Sequence, residues 1–254
     1  MMRKPWMQAG AYAVGIVIGK LVSFLLLPII TAHLAPESYA TLEILVSLAD
    51  IGSIILGLAA ADTLFRFMGE AESPDEGREI VARLFGLILI FSILALIVTQ
   101  LLVSPVANVI PAGVRPVHLR LLAVSLTMTS LIQLPLGWLR IKDRAFAFLA
   151  ASVGKTLIQA SLIVFGLRAG FGVTAILGAG AVADMLLAGV LCVMQYRASG
   201  IRFNRHGIGH ILHYSGPLML SGIAAFALGS LDRWFLVENV PLSEMALYGL
   251  AAKF

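Results

Sequence analysis

The stretch GAYAVGIVIGKLVSFLLLPIIT, residues 10–31, decides the fold. It is apolar, small or hydroxyl-bearing throughout, except for Lys20 at its centre. At about 1.5 Å per residue, a helix of this length covers the roughly 30 Å of a bilayer's hydrocarbon. Six further runs of the same kind lie near 42–67, 84–103, 119–139, 146–167, 173–196 and 208–237, and an eighth opens at Met245. With 59% hydrophobic and 13% charged residues, against roughly 25% charged in a soluble domain, the composition excludes an ordinary soluble enzyme. It predicts an all-α polytopic membrane protein. The eighth run reaches Phe254 in too few residues to cross a bilayer, so the sequence reads as truncated or as a piece of a longer protein.

Arg3 and Lys4 before an apolar run resemble a secretory signal. The run is too long for one, however, and no A-x-A site follows, so it reads as a retained first span. The single cysteine, Cys192, lies in the sixth run, where a disulfide framework or Cys-rich metal site is excluded and packing is the expected role. Arg3, Lys4, Arg66, Arg78, Arg83, Arg140, Lys142, Arg144, Arg197, Arg202 and Arg205 fall on one side of the predicted bundle; Arg115, Arg120 and Arg168 fall on the other. The excess predicts a cytoplasmic N-terminus. It also accounts for the formal net charge of +4 without a nucleic-acid partner. The loops are short and leave no room for a soluble catalytic domain.

Charges recur inside the runs: Lys20, Asp50, Asp62, Lys155, Asp184, Asp232 and Arg233. Each costs about 2.5–3.5 kcal/mol at a bilayer centre unless it faces a partner or a wet cavity, so the set is expected to converge on something polar. Glu43, Asp50 and Gly57 recur every seven residues with Ser47 and Ile54 between them, giving the second span an acidic, small stripe. Lys20, Ser23 and Thr31 share a face of the first span, and Ser152, Lys155 and Gln159 one of the fifth. Pairing of Lys20 with an acid such as Asp50 purely to glue helices is the structural alternative. Asp62, four residues before Arg66, suits either an intrahelical ion pair or a transport role. Gly15, Gly19 and Ser23 suggest a close helix contact, and Pro28, Pro105, Pro135 and Pro217 suggest bent spans.

Two motifs imitate other chemistry. Gly154-Lys155-Thr156 looks like the end of a phosphate-binding loop, but position 149 is Leu and the triplet lies inside an apolar run. His206, His210 and His213 have helical spacing that a metal site could use; beside Arg197, Arg202 and Arg205, a basic stretch on anionic headgroups explains them more simply.

Several landmarks taken together resemble a known family. Gly19-Lys20 with Ser23 and Pro28, the run from His33 to Ala40, Gly57-Leu58-Ala59-Ala60 with Arg66, Tyr214 to Leu218, Asp232 to Leu236 and Leu247 to Ala251 are similar to polysaccharide and O-antigen repeat-unit flippases. These belong to the multidrug/oligosaccharidyl-lipid/polysaccharide exporter superfamily. Ala35 and Ala40 stand where that family usually has Gly.

The resemblance implies twelve to fourteen helices in two lobes around a cavity that opens to alternate faces. On that reading 1–196 form a first lobe of six helices, 197–207 a cytoplasmic basic connection, and 208–254 the start of a second lobe. A weak echo between the runs beginning at Glu37 and Glu244 agrees with parallel repeats. The implied activity carries lipid-pyrophosphate-linked oligosaccharide from the cytoplasmic to the outer face of a bacterial plasma membrane. No cofactor, metal or nucleic acid is expected, and the polysaccharide polymerase or export machinery is a conceivable partner. A pyrophosphate needs cations in a partly dry cavity, so Lys20, Lys155 and Arg233 are the expected substrate-binding residues. Asp50 and Asp184 are the expected ion-coupling carboxylates. The alternatives are a multidrug or cation antiporter, which would prefer a cavity without cations, a membrane-embedded polyprenyl-lipid enzyme, for which no nucleophile, base or metal cluster appears, and a nonfunctional fragment.

Overall fold

The computed structural model describes residues 5–57, 60–110, 113–203 and 208–251. Among them are nine helices: α1 (Pro5–His33), α2 (Pro36–Gly57), α3 (Ala60–Glu70), α4 (Pro74–Ala107), α5 (Pro116–Ile141), α6 (Ala145–Arg168), α7 (Gly172–Ser199), α8 (Ile208–Asn239) and α9 (Leu242–Ala251). Seven spans are long and apolar enough to cross a membrane, with α2 and α3 together making one of them. The chain is an all-α polytopic membrane protein, as its composition implies.

The helices start and stop where local chemistry demands. Pro74 opens α4 behind the Ser73 cap, whose hydroxyl accepts from the Glu76 amide at 3.2 Å, while the Glu76 carboxylate accepts from the Glu72 amide at 2.8 Å. These bonds satisfy amides that a helix start leaves open. The α6–α7 turn places Gly170 at φ +82° and Gly172 at +54°, a left-handed backbone that glycine adopts at little cost. Pro28, Pro105, Pro135 and Pro217 all lie inside helices, none of which they break.

α5 is the hub: α7, α4, α2, α3 and α6 all pack on it, while α1 lies outside against α6. Lipid is as apolar as leucine, so close packing rather than escape from water holds these faces together. The buried apolar residues form two clusters. One, with Tyr39, Ile44, Leu45, Leu119, Leu167, Val173 and Met245, lies where α2 and α9 begin. The other, with Leu64, Phe85, Leu134, Trp138 and Leu191, lies toward the opposite end. Ser125, Lys155 and Asp184 fall between the two in sequence along α5, α6 and α7. Cys192 is half-buried against the second cluster, a packing position. Of the expected small-residue contact in α1, Gly15 is real: a β-carbon there would lie 3.0 Å from Leu149 of α6, whereas Gly19 faces no neighbour within 4 Å.

The second span, expected over 42–67, runs over 36–70 and takes in α2 and α3. The Ser130 hydroxyl of α5 donates to the Leu56 carbonyl at 2.7 Å near the end of α2. α3 is strongly two-faced, with Asp62, Arg66 and Glu70 four apart. At the same end, residues 201–203 are strapped to α4. The Arg202 amide donates to the Ala82 carbonyl at 3.1 Å, and Glu79 takes Arg202 at 2.7 Å and Arg83 at 2.5 Å.

Candidate functional site

The intramembrane charges do converge, in two separate places. On the inner face of the bundle Lys155 of α6 forms an ion pair with Asp184 of α7, and the Ser125 hydroxyl of α5 donates to the second carboxylate oxygen. Asp184 is 2% exposed and Lys155 half-buried. Gly180, one turn before Asp184, leaves room for Gln159 and Ser125: a β-carbon there would stand 3.5 Å from the Gln159 amide nitrogen and 3.7 Å from the Ser125 oxygen. One expected substrate cation and one expected coupling acid are therefore partners. Lys155 is also confirmed as a helix-interior residue, with Thr156 donating to the Ser152 carbonyl at 3.0 Å, so no phosphate-binding loop exists at this triplet.

The second centre joins α2, α8 and α9. Arg233 reaches Glu43 at 3.2 Å, and Glu43 has no exposed surface at all. Beside this pair the Trp234 indole donates to the Ser47 hydroxyl at 3.0 Å, and the Tyr248 hydroxyl donates to Asp232. Gly249 lets α9 approach: a β-carbon there would lie 2.8 Å from Glu43 Cγ and 3.0 Å from Cδ. Asp50 sits two turns further along α2, exposed, within the electrostatic reach of both Arg233 and Glu43.

Lys20 is exposed on the peripheral α1 and forms no ion pair among the described residues. The helix-glue alternative between Lys20 and Asp50 is thus corrected: the acidic stripe of α2 is met by Arg233, not by Lys20. The Asp62–Arg66 pair is corrected as well. Arg66 instead reaches Glu70 at 3.2 Å and stacks over the Tyr214 ring at 4.8 Å, which leaves Asp62 facing a cavity. Glu43 and Ser125 are the partners that periodicity left out of the site. Glu43 had a signal, its place on the stripe with Asp50; Ser125 had none in its own sequence context. Of the histidines, His206 lies outside the described residues, and among those described no group of three or more His, Cys, Asp or Glu forms a metal site.

A seven-span helical bundle with charges paired across its helix seams defines a polytopic membrane protein. Residues 34–254 match the family described as polysaccharide biosynthesis protein, and the chain belongs to that family. No curated protein matches the chain, and no solved structure does.

Proposed function

We propose that the protein moves lipid-linked oligosaccharide or polysaccharide repeat units from the cytoplasmic to the outer face of a bacterial plasma membrane by alternating access, without enzymatic chemistry. Family membership over residues 34–254 is the observation that carries this reading. The two ion pairs add a mechanism. A pyrophosphate competes with Asp184 for Lys155, because both are anions that a cation binds by charge-assisted hydrogen bonds. Protonation of the released carboxylate would then couple transport to an ion gradient. Arg233–Glu43, with α9 closed over it, serves as a seam between a first lobe at 1–196 and a second beginning at 208. Among the described residues neither Lys20 nor Asp50 has an ion-pair partner within contact distance, and on this reading they meet the headgroup and the coupling ion directly.

The reading is tested in a strain lacking its own repeat-unit flippase. Wild type should restore surface polysaccharide, and Lys20→Ala should reduce it at least tenfold at unchanged membrane abundance, with Lys20→Arg keeping part of the activity. If wild type restores nothing while inserting normally, the reading fails.

Orientation has its own check. With a cytoplasmic N-terminus, a cysteine at Glu37 in a Cys192→Ser background should react with an impermeant thiol reagent in intact cells, and one at Asp75 should not. Labelling at Asp75 alone would invert the topology.

A further inference from the structure

Where α2, α3, α5 and α8 meet lies a cavity of about 280 Å³ that neither ion pair reaches. Ser53 of α2, Asp62 of α3 and Gln133 of α5 form its polar wall; Leu218, Met219 and Gly222 of α8 form the apolar wall opposite. Asp62 and Gln133 are exposed to this space and have no hydrogen-bond or ion-pair partner among the described residues. Two of the helices around it carry a proline at its edge: Pro135 lies two residues from Gln133, and Pro217 adjoins Leu218. A proline lacks the N–H that would bond four residues back, so the carbonyls of Leu131 and His213 lose their helical donors. Membrane helices tolerate such carbonyls where a polar cavity or neighbouring groups satisfy them.

We infer that this cavity is the subsite for an uncharged sugar ring of the lipid-linked substrate, an inference that rests on the flippase reading above. A carboxylate facing a carboxamide offers acceptors and donors together, the set that neighbouring ring hydroxyls require. The apolar α8 wall suits the C–H face of the ring. Its size suits a small molecule: the cavity lies just below the roughly 300–1,000 Å³ of small-molecule sites, far above the about 30 Å³ of one water. Charge selects neutral sugars, because Asp62 repels a uronic acid. Arg66 lies one turn beyond Asp62, and Tyr214 one turn before Leu218, so the stacked pair stands next to the cavity. From there Arg66 can hold a phosphate of the same molecule while the ring occupies the cavity.

Two probes test this on the purified protein in lipid nanodiscs: polyprenyl pyrophosphate, and the same lipid carrying one neutral N-acetylhexosamine. Wild type should bind the sugar-bearing lipid at least tenfold more tightly. In Asp62→Ala/Gln133→Ala the two affinities should become equal, with that for the sugar-free lipid within twofold of wild type, which also reports an intact fold. A preference that survives the double substitution, or wild-type affinities that are equal from the start, overturns the sugar subsite and leaves the flippase reading standing. Failure of wild type to bind either lipid overturns both. If the double variant does not fold, Gln133→Cys in a Cys192→Ser background decides: the sugar-bearing lipid should slow its alkylation at least tenfold relative to the sugar-free lipid, and equal rates overturn the subsite.

Discussion

Arg233→Ala is expected to destabilise the fold by up to about 3–5 kcal/mol, because it removes the cation 3.2 Å from a Glu43 carboxylate that has no access to solvent. Glu43→Ala should cost a similar amount by stranding the guanidinium, which is 16% exposed. Removing both charges relieves both problems. Glu43→Gln/Arg233→Met keeps the volumes that α9 packs against and should lie closer to wild type than either single alanine variant. The measurement is thermal unfolding of the four proteins in one detergent. A double variant no more stable than the less stable single variant would mean that the 3.2 Å contact contributes nothing by its charge.

A different outcome is expected at the second pair. Asp184→Ala leaves Lys155 without its carboxylate and Ser125 without its acceptor, so it should destabilise strongly, again by about 3–5 kcal/mol. Lys155→Met/Asp184→Leu should recover that stability, since two apolar side chains of similar volume replace the pair. Export should not recover with it. A cation that exchanges Asp184 for a substrate phosphate is needed for its charge, so polysaccharide export should stay at least tenfold below wild type, with membrane abundance restored. Recovery of export together with abundance would reduce Lys155–Asp184 to a structural contact. Comparing the two double variants thus separates a pair that only holds helices from one that also handles substrate.

How far the residues announced this arrangement depends on which question is asked of them. Periodicity placed Glu43 and Asp50 on one stripe of α2, and the cost of a charge in lipid made Lys155, Asp184 and Arg233 conspicuous. Both arguments are local, and both agree with the structure. Partnership is not local. A helical stripe fixes the direction of a side chain relative to its own axis, but which neighbour it meets follows from how seven spans order themselves around α5. Lys20 was matched to Asp50 on charge alone, whereas α1 packs on α6 and the acids of α2 face α8. The two-faced character of α3 is hidden for another reason. Hydropathy averaged over 42–67 is high, and averaging erases a polar face. Only over 60–70 taken alone do Asp62, Arg66 and Glu70 stand out.

The absence of a side chain at Gly249 has a practical corollary. Glu43 Cγ would be 2.8 Å from the first carbon added there, and Glu43 is itself enclosed on every side, so neither can yield without α9 moving off α2. A methyl group is the smallest wedge that protein chemistry provides. Gly249→Ala therefore acts as a wedge, expected to leave the helices intact while propping the α2–α9 junction ajar.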